Sequence, residues 1–204
     1  MNFSVRPGMI ALLLMLDACA SAPVHYYTLV SPATEAPSTQ QAAPFVIDVL
    51  PVGIPAQVDQ EQLVVRQGDS SIAVLDDERW VAPLGDEVRV ALSAGLVHRL
   101  GIQDVAGLAR PAGKPVLRIK LQVRRLDAWP GRGVQLEADW SVRFADDAKD
   151  LHLTCHSELH EAAPAGYAGL VHAQQRAIAA LADQIAGDAR KWAQSRNSNC
   201  APYA

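Results

Sequence analysis

Residues 117–159 read LRIKLQVRRLDAWPGRGVQLEADWSVRFADDAKDLHLTCHSEL, and this stretch decides the fold. Leu117, Ile119, Leu121 and Val123 alternate with Arg118, Lys120, Gln122 and Arg124. Successive side chains of a strand point to opposite faces, so this is a half-buried strand with a basic outer side. Trp129-Pro130-Gly131-Arg132-Gly133 turns the chain. Val134, Leu136, Ala138, Trp140, Val142 and Phe144 then alternate with Gln135, Glu137, Asp139, Ser141 and Arg143, which gives an acidic outer side. After a second turn at Asp146–Asp150, Leu151, Leu153, Cys155 and Leu159 alternate with His152, Thr154, His156 and Glu158. The sum is an antiparallel meander, apolar on one face. Opposite charges meet on the other face, each pair contributing about 0.2–1 kcal/mol. A register that sets Phe144 opposite Leu151 sets Asp139 opposite His156.

Working outward, Gly166 to Ala193 reads as a helix, with Leu170, Ala173, Ala177, Ile178, Leu181, Ile185 and Trp192 on one side. Its alanines allow a close approach to the sheet. Upstream, Pro83 opens a second helix to about Leu100, with the stripe Val88, Leu92, Leu96 and Leu100 and a stop at Gly101. Leu63–Gln67 and Ser71–Leu75 flank Gly68-Asp69 as a hairpin. Phe45–Val52 and His25–Val30 read as strands. The stretch 31–44, rich in Pro, Ala, Ser, Thr and Gln, reads as a flexible loop, and 195–204 as a loose tail. The fold class is therefore α+β: a mostly antiparallel sheet with two main helices packed on one face.

The N-terminus, MNFSVRPGMIALLLMLDACASAP, is a different kind of sequence. One basic residue, Arg6, precedes a short apolar run and a small-residue exit, the order of a secretory signal. The run is too short to span a bilayer, which needs about 20 apolar residues. Leu16-Asp17-Ala18-Cys19 resembles the lipobox of bacterial lipoproteins, with cleavage before the Cys. Asp17 departs from that pattern, where a small or apolar residue is usual. Ordinary cleavage after Ala18, Ala20 or Ala22 is the alternative. On the lipobox reading, 1–18 is the signal peptide, Cys19 carries the acyl chains, 19–24 is a tether and 25–194 is the domain. Ala20-Ser21 after the Cys, rather than Asp, resembles the lipoproteins sorted to the outer membrane.

Composition agrees with export. The chain has 204 residues, a net charge of −4 and 3 Cys. Removing signal and tether leaves one domain of roughly 160 to 180 residues, enough for a real core. No basic excess points to nucleic acid. Lipidation of Cys19 leaves Cys155 and Cys200, which an oxidising compartment permits to pair. A buried Cys155 and a free Cys200 are the alternative.

The residues offer little chemistry. His152, His156 and His160 share a strand face, but residues four apart on a strand lie about 13 Å apart, too far for one metal. No metal and no cofactor are expected, and Asp139 is the natural partner of His156. Asp76-Asp77-Glu78 and Asp146-Asp147 are carboxylate groups that read as solvated turns rather than acid–base pairs. Arg124-Arg125 reads as a solvated strand end. No nucleophile elbow, HExxH or phosphate loop is present in the sequence.

Four segments taken in order carry a family resemblance: Tyr26-Tyr27-Thr28-Leu29, Leu63–Gly68, Arg79–Leu84 and Leu136–Trp140. Their order and spacing resemble the ABC-type transport auxiliary lipoproteins, the family of paraquat-inducible protein C. The resemblance covers nearly the whole mature chain. It implies a non-catalytic outer-membrane lipoprotein, facing the periplasm. Its partners would be an ABC permease and a mammalian-cell-entry-type protein that spans the periplasm. It further implies (phospho)lipid movement between membranes, support of envelope integrity and a homo-oligomeric ring. Arg66, Arg79 and Trp80 match the family's motifs by position, as holders of the fold or as partner contacts. The rival readings are a structural or assembly lipoprotein of the outer membrane and, further off, a periplasmic hydrolase.

Overall fold

The apolar alternation of 117–159 folds as read. In the computed structural model, which describes residues 23–32, 41–197 and 199–202, it forms β5 (Val116–Trp129), β6 (Gly133–Phe144) and β7 (His152–Ala162). Asp139 pairs with His156 and Arg143 with His152, the register expected from the two hydrophobic patterns. Cys19, the signal segment and residues 33–40 of the expected loop lie outside the described residues.

Strand β5 runs further than its first alternation suggests. The register slips between Val123 and Arg125, leaving Arg124 as a bulge. Leu126 and Ala128 then resume the inward phase. Arg124-Arg125 is therefore not a strand end, as the sequence reading had it, but a mid-strand phase reset. A bulge lets two successive residues stay exposed while the strand continues.

The single expected sheet is two. The four-stranded sheet has the order β2-β5-β6-β7, with β2 (Val46–Val49) parallel to β5. The three-stranded sheet has the order β1-β4-β3, from β1 (His25–Tyr27), β3 (Gln62–Arg66) and β4 (Ile72–Trp80). Here β1 lies parallel to β4, and β3 pairs with it antiparallel. Strand β4 passes beyond the expected end at Leu75. Leu63 pairs with Leu75 but Gln62 pairs with Arg79, so Asp76-Asp77-Glu78 bow out of the β3 ladder. They are part of a strand, not a turn, because β1 supplies a second neighbour from Glu78 to Trp80.

Two helices close the core. Helix α1 (Leu84–Leu100) buries Leu84, Val88, Leu92, Leu96 and Leu100. Gly101 ends it with φ of 65°, a conformation only glycine adopts without strain. Helix α2 (Tyr167–Ser195) buries Leu170, Ala173, Ala177, Ile178, Leu181, Ile185 and Trp192, as its pattern predicts. It crosses α1 closely: a Cβ on Gly95 would come within 2.9 Å of Ala182 Cβ. Both helices and the inner faces of both sheets share one apolar core. A small second cluster, Val46, Val105 and Val116, seals the other side of the β2–β5 pair.

The described part of the C-terminal segment is fastened, in contrast to the loose tail that its polar composition predicts. The Arg196 guanidinium stacks 3.8 Å from the Phe144 ring centre and reaches Asp147 at 3.1 Å. Cys200 is bonded to Cys155, with Cα atoms 5.7 Å apart. The Ala201 amide donates to buried Asp188 at 3.1 Å. Polar composition hid these ties, because each depends on a partner far away in sequence.

Two outcomes follow. Leu136→Ala, in the fully buried centre of β6, should lower stability by about 2–5 kcal/mol in chemical denaturation. Reduction of the bridge, or Cys200→Ser, should remove roughly 4 kcal/mol in the chain-entropy account, read as a shift in denaturation midpoint with and without reductant.

Candidate functional site

The exposed surfaces of the domain follow from which strand faces the helices cover. The uncovered face of the four-stranded sheet carries the charges of β5, β6 and β7. Nearly every one has a partner. Arg118 Nε lies 3.3 Å from Asp48, Arg124 Nε 2.6 Å from Asp139, and Arg125 Nε 3.3 Å from Glu137. His156 Nδ1 lies 2.8 Å from Asp139, and His160 Nε2 lies 3.0 Å from Glu158. His152 Nδ1 instead approaches the Asp150 carbonyl at 3.0 Å. The three histidines thus take three separate partners. Among the described residues no group of three His, Cys, Asp or Glu side chains is placed to hold a metal.

Asp139 is the electrostatic centre of this face. His156, and then Arg124, hydrogen-bond its carboxylate and hold it below the usual carboxylate range, against a smaller opposing effect of desolvation.

The carboxylate groups do not share a cleft. Asp146 pairs with Arg110 at 3.0 Å. Asp147 accepts from Arg196 and from the Lys149 amide, a satisfied turn. Together they line an open hollow with Phe144 and Pro115. Glu78 meets His25 Nδ1 at 3.1 Å. Burial, reinforced by a hydrogen bond to Glu78, pushes Tyr27 up to about 12, so it stays a neutral phenol.

The three motif residues sit in three settings. Arg66 grips Asp127 of β5 with both arms, Nε to Oδ1 at 2.9 Å and Nη2 to Oδ2 at 3.2 Å, tying the small sheet to the large one. Trp80 is buried where β4 ends and α1 is about to begin. Arg79 is more exposed and donates to the Asp76 carbonyl at 2.9 Å, bracing the bowed segment. The structure does not bring them into one site.

Two features escaped the sequence reading. The first is Glu87, buried in the first turn of α1. Its Oε2 accepts from Thr28 Oγ1 at 2.8 Å and from the Leu29 amide at 2.7 Å. Gln175 of α2 donates to the Thr28 carbonyl at 2.9 Å. The chain just after β1 is thereby clamped between both helices. Acidic residues are ordinary in a first helical turn, so the sequence held no signal for this clamp. The second is the concentration of exposed apolar side chains along β1 and β4. It has no local signature, because half of any hairpin's residues alternate the same way.

The family described as ABC-type transport auxiliary lipoprotein component has a sequence model that matches residues 27–186. No curated protein matches at a significant level. Among solved structures, a protein from Xanthomonas campestris is 14% identical, with a TM-score of 0.62, covering 85% of this chain and 98% of its own. An uncharacterised protein is 16% identical, with a TM-score of 0.64, covering 82% and 99%. These two likenesses extend to the fold.

The carboxyl titration of Asp139, followed by NMR, should have its midpoint below that of an ordinary Asp, and His156→Ala should move it back upward. A depressed carboxylate contributes stability above its unfolded pKa, and the contribution is lost as pH falls through the folded value. This pair's contribution should therefore begin to fall below about pH 4 and be lost once the pH is below the lowered folded value.

Proposed function

Because the chain belongs to the family of ABC-type transport auxiliary lipoprotein components, we propose that it serves at the outer membrane as the accessory lipoprotein of an intermembrane (phospho)lipid transport system. In this reading Cys19 carries the acyl chains and fixes the domain to the periplasmic side of the outer membrane. A mammalian-cell-entry-type spanning protein reaches it from the inner membrane, where the ABC permease resides. A homo-oligomer of the domain receives the end of that path. The role is to dock and position, with no bond made or broken.

The family match over residues 27–186 carries this reading. The Leu16–Cys19 box and Ala20-Ser21 support the anchor and its destination. Among the described residues no helix is long and apolar enough to cross a membrane, so attachment through Cys19 is what the reading requires. Two or three acyl chains suffice, since each buried CH₂ contributes about 0.8 kcal/mol and one chain alone is marginal.

A strain lacking the protein should be hypersensitive to detergent and chelator, and the tagged protein should retain a periplasm-spanning partner after mild solubilisation. Normal sensitivity together with no such partner would exclude the transport role and leave a purely structural lipoprotein. Cys19→Ala should release the protein from the outer-membrane fraction; continued co-fractionation would mean that the anchor reading is wrong.

A further inference from the structure

Of the eight large apolar side chains exposed among the described residues, five lie on or beside one surface: Val24, Tyr26, Ile72, Val74 and Val81, each 40–63% exposed. The pairing of the three-stranded sheet explains the grouping. Tyr26 pairs with Arg79, Val74 with Val64 and Ile72 with Arg66. The alternate residues, Tyr27, Leu63, Val65 and Trp80, turn into the core or pack against it. Val24 and Val81 flank the row two residues before Tyr26 and two after Arg79. Scattered exposed apolar residues are ordinary, but a grouped set marks a contact surface. The outer face of the four-stranded sheet is the opposite case, polar and internally paired.

The chain outside the described residues says what covers this surface. Strand β1 is parallel to β4, with His25 beside Glu78, so the chain enters β1 from the Ile72 end of the sheet. Cys19 is only five residues before Val24, a reach of about 18 Å even fully extended. Acyl chains on Cys19 therefore keep this face close to the headgroups. Tyrosine suits that interface, with an apolar ring and a polar tip.

We propose that the outer face of the three-stranded sheet, with Tyr26, Ile72 and Val74 at its centre, rests against the bilayer that holds the anchor. The proposal rests on the reading of Cys19 as the lipidated residue. It sets the domain's orientation: the outer face of the small sheet, and not the paired charges around Lys120, contacts the lipid.

The test uses the full mature lipoprotein in vesicles of phosphatidylethanolamine and phosphatidylglycerol. Spin labels are placed by Val74→Cys, Tyr26→Cys and, as the reference on the charged face, Lys120→Cys. At 74 and 26, collision with oxygen relative to a water-soluble nickel complex should be several-fold higher than at 120. Tyr26→Cys provides a second site if Val74→Cys folds poorly. Equal nickel access at all three positions overturns the proposal. Shielding of 74 from both reagents, with spin–spin broadening, also overturns it and assigns the face to a second copy of the chain. Mass spectrometry and vesicle flotation separate the premises. A protein without acyl chains on Cys19 loses the anchor reading and the proposal together. An acylated, floating protein with a water-exposed Val74 loses the proposal alone.

Discussion

The register of β6 between its two neighbours is the constraint on which the rest depends. Its residues alternate without a break, and Leu136, Ala138, Trp140 and Val142 are almost wholly buried. A slip of one residue on either side would send that row to water and bring Glu137 and Asp139 under the helices. One polar contact inside the core helps hold the register: the Trp140 indole N–H donates to buried Ser157 on β7 at 2.9 Å. Both groups are satisfied there, and each would be left unpaired by a slip, at about 1–3 kcal/mol for a buried donor or acceptor. The same register places Cys155 opposite Trp140, facing inward, and so aims it at the segment that carries Cys200.

What the sequence displayed and what it concealed divide along this line. The meander, its register and the buried stripe of α2 were legible because each is written in consecutive residues with one period. The second sheet was not, since β1 and β2 join by parallel pairing to strands far along the chain, and no local pattern records a distant partner. Arg124-Arg125 and Asp76–Glu78 misled for a shared reason. Two or three exposed polar residues in a row look like the end of a strand, yet a bulge produces the same string within one. The tail misled because Arg196, Cys200 and Ala201 are held by groups on β6, β7, α2 and the β6–β7 turn.

The functional reading was legible to a different degree. Cys19 stands out by its position after an apolar run. The ordered motifs were readable as a set, but their residues separate in space. Arg66 ties two sheets, Trp80 fills the core and Arg79 braces a bow in β4. The histidines, the most suggestive residues on paper, are spread along one strand and engaged singly. None of these facts required chemistry from the protein, and the paired charges of the large sheet have a further consequence. Ion pairs that already satisfy one another gain little from a new partner, and moving them out of water carries a desolvation penalty. That face is therefore suited to water rather than lipid.

The proposed lipid anchor would give the clamp at Glu87 its meaning. Strand β1 has three residues and one neighbouring strand, β4, too little pairing to carry load by itself. Any pull on an anchored N-terminus passes through it. Immediately beyond β1 the chain meets a buried carboxylate that accepts from Thr28 and Leu29, a Gln175 amide on the Thr28 carbonyl, and the burial of Leu29 in the core. Hydrogen bonds to a charged group in a water-poor setting are the stronger kind. They link the strand to α1 and to α2, of which α2 rests on β6 and α1 packs on α2. An anchor attached through so short a strand can hold the whole domain because its load is delivered within a few residues to the helices and the core.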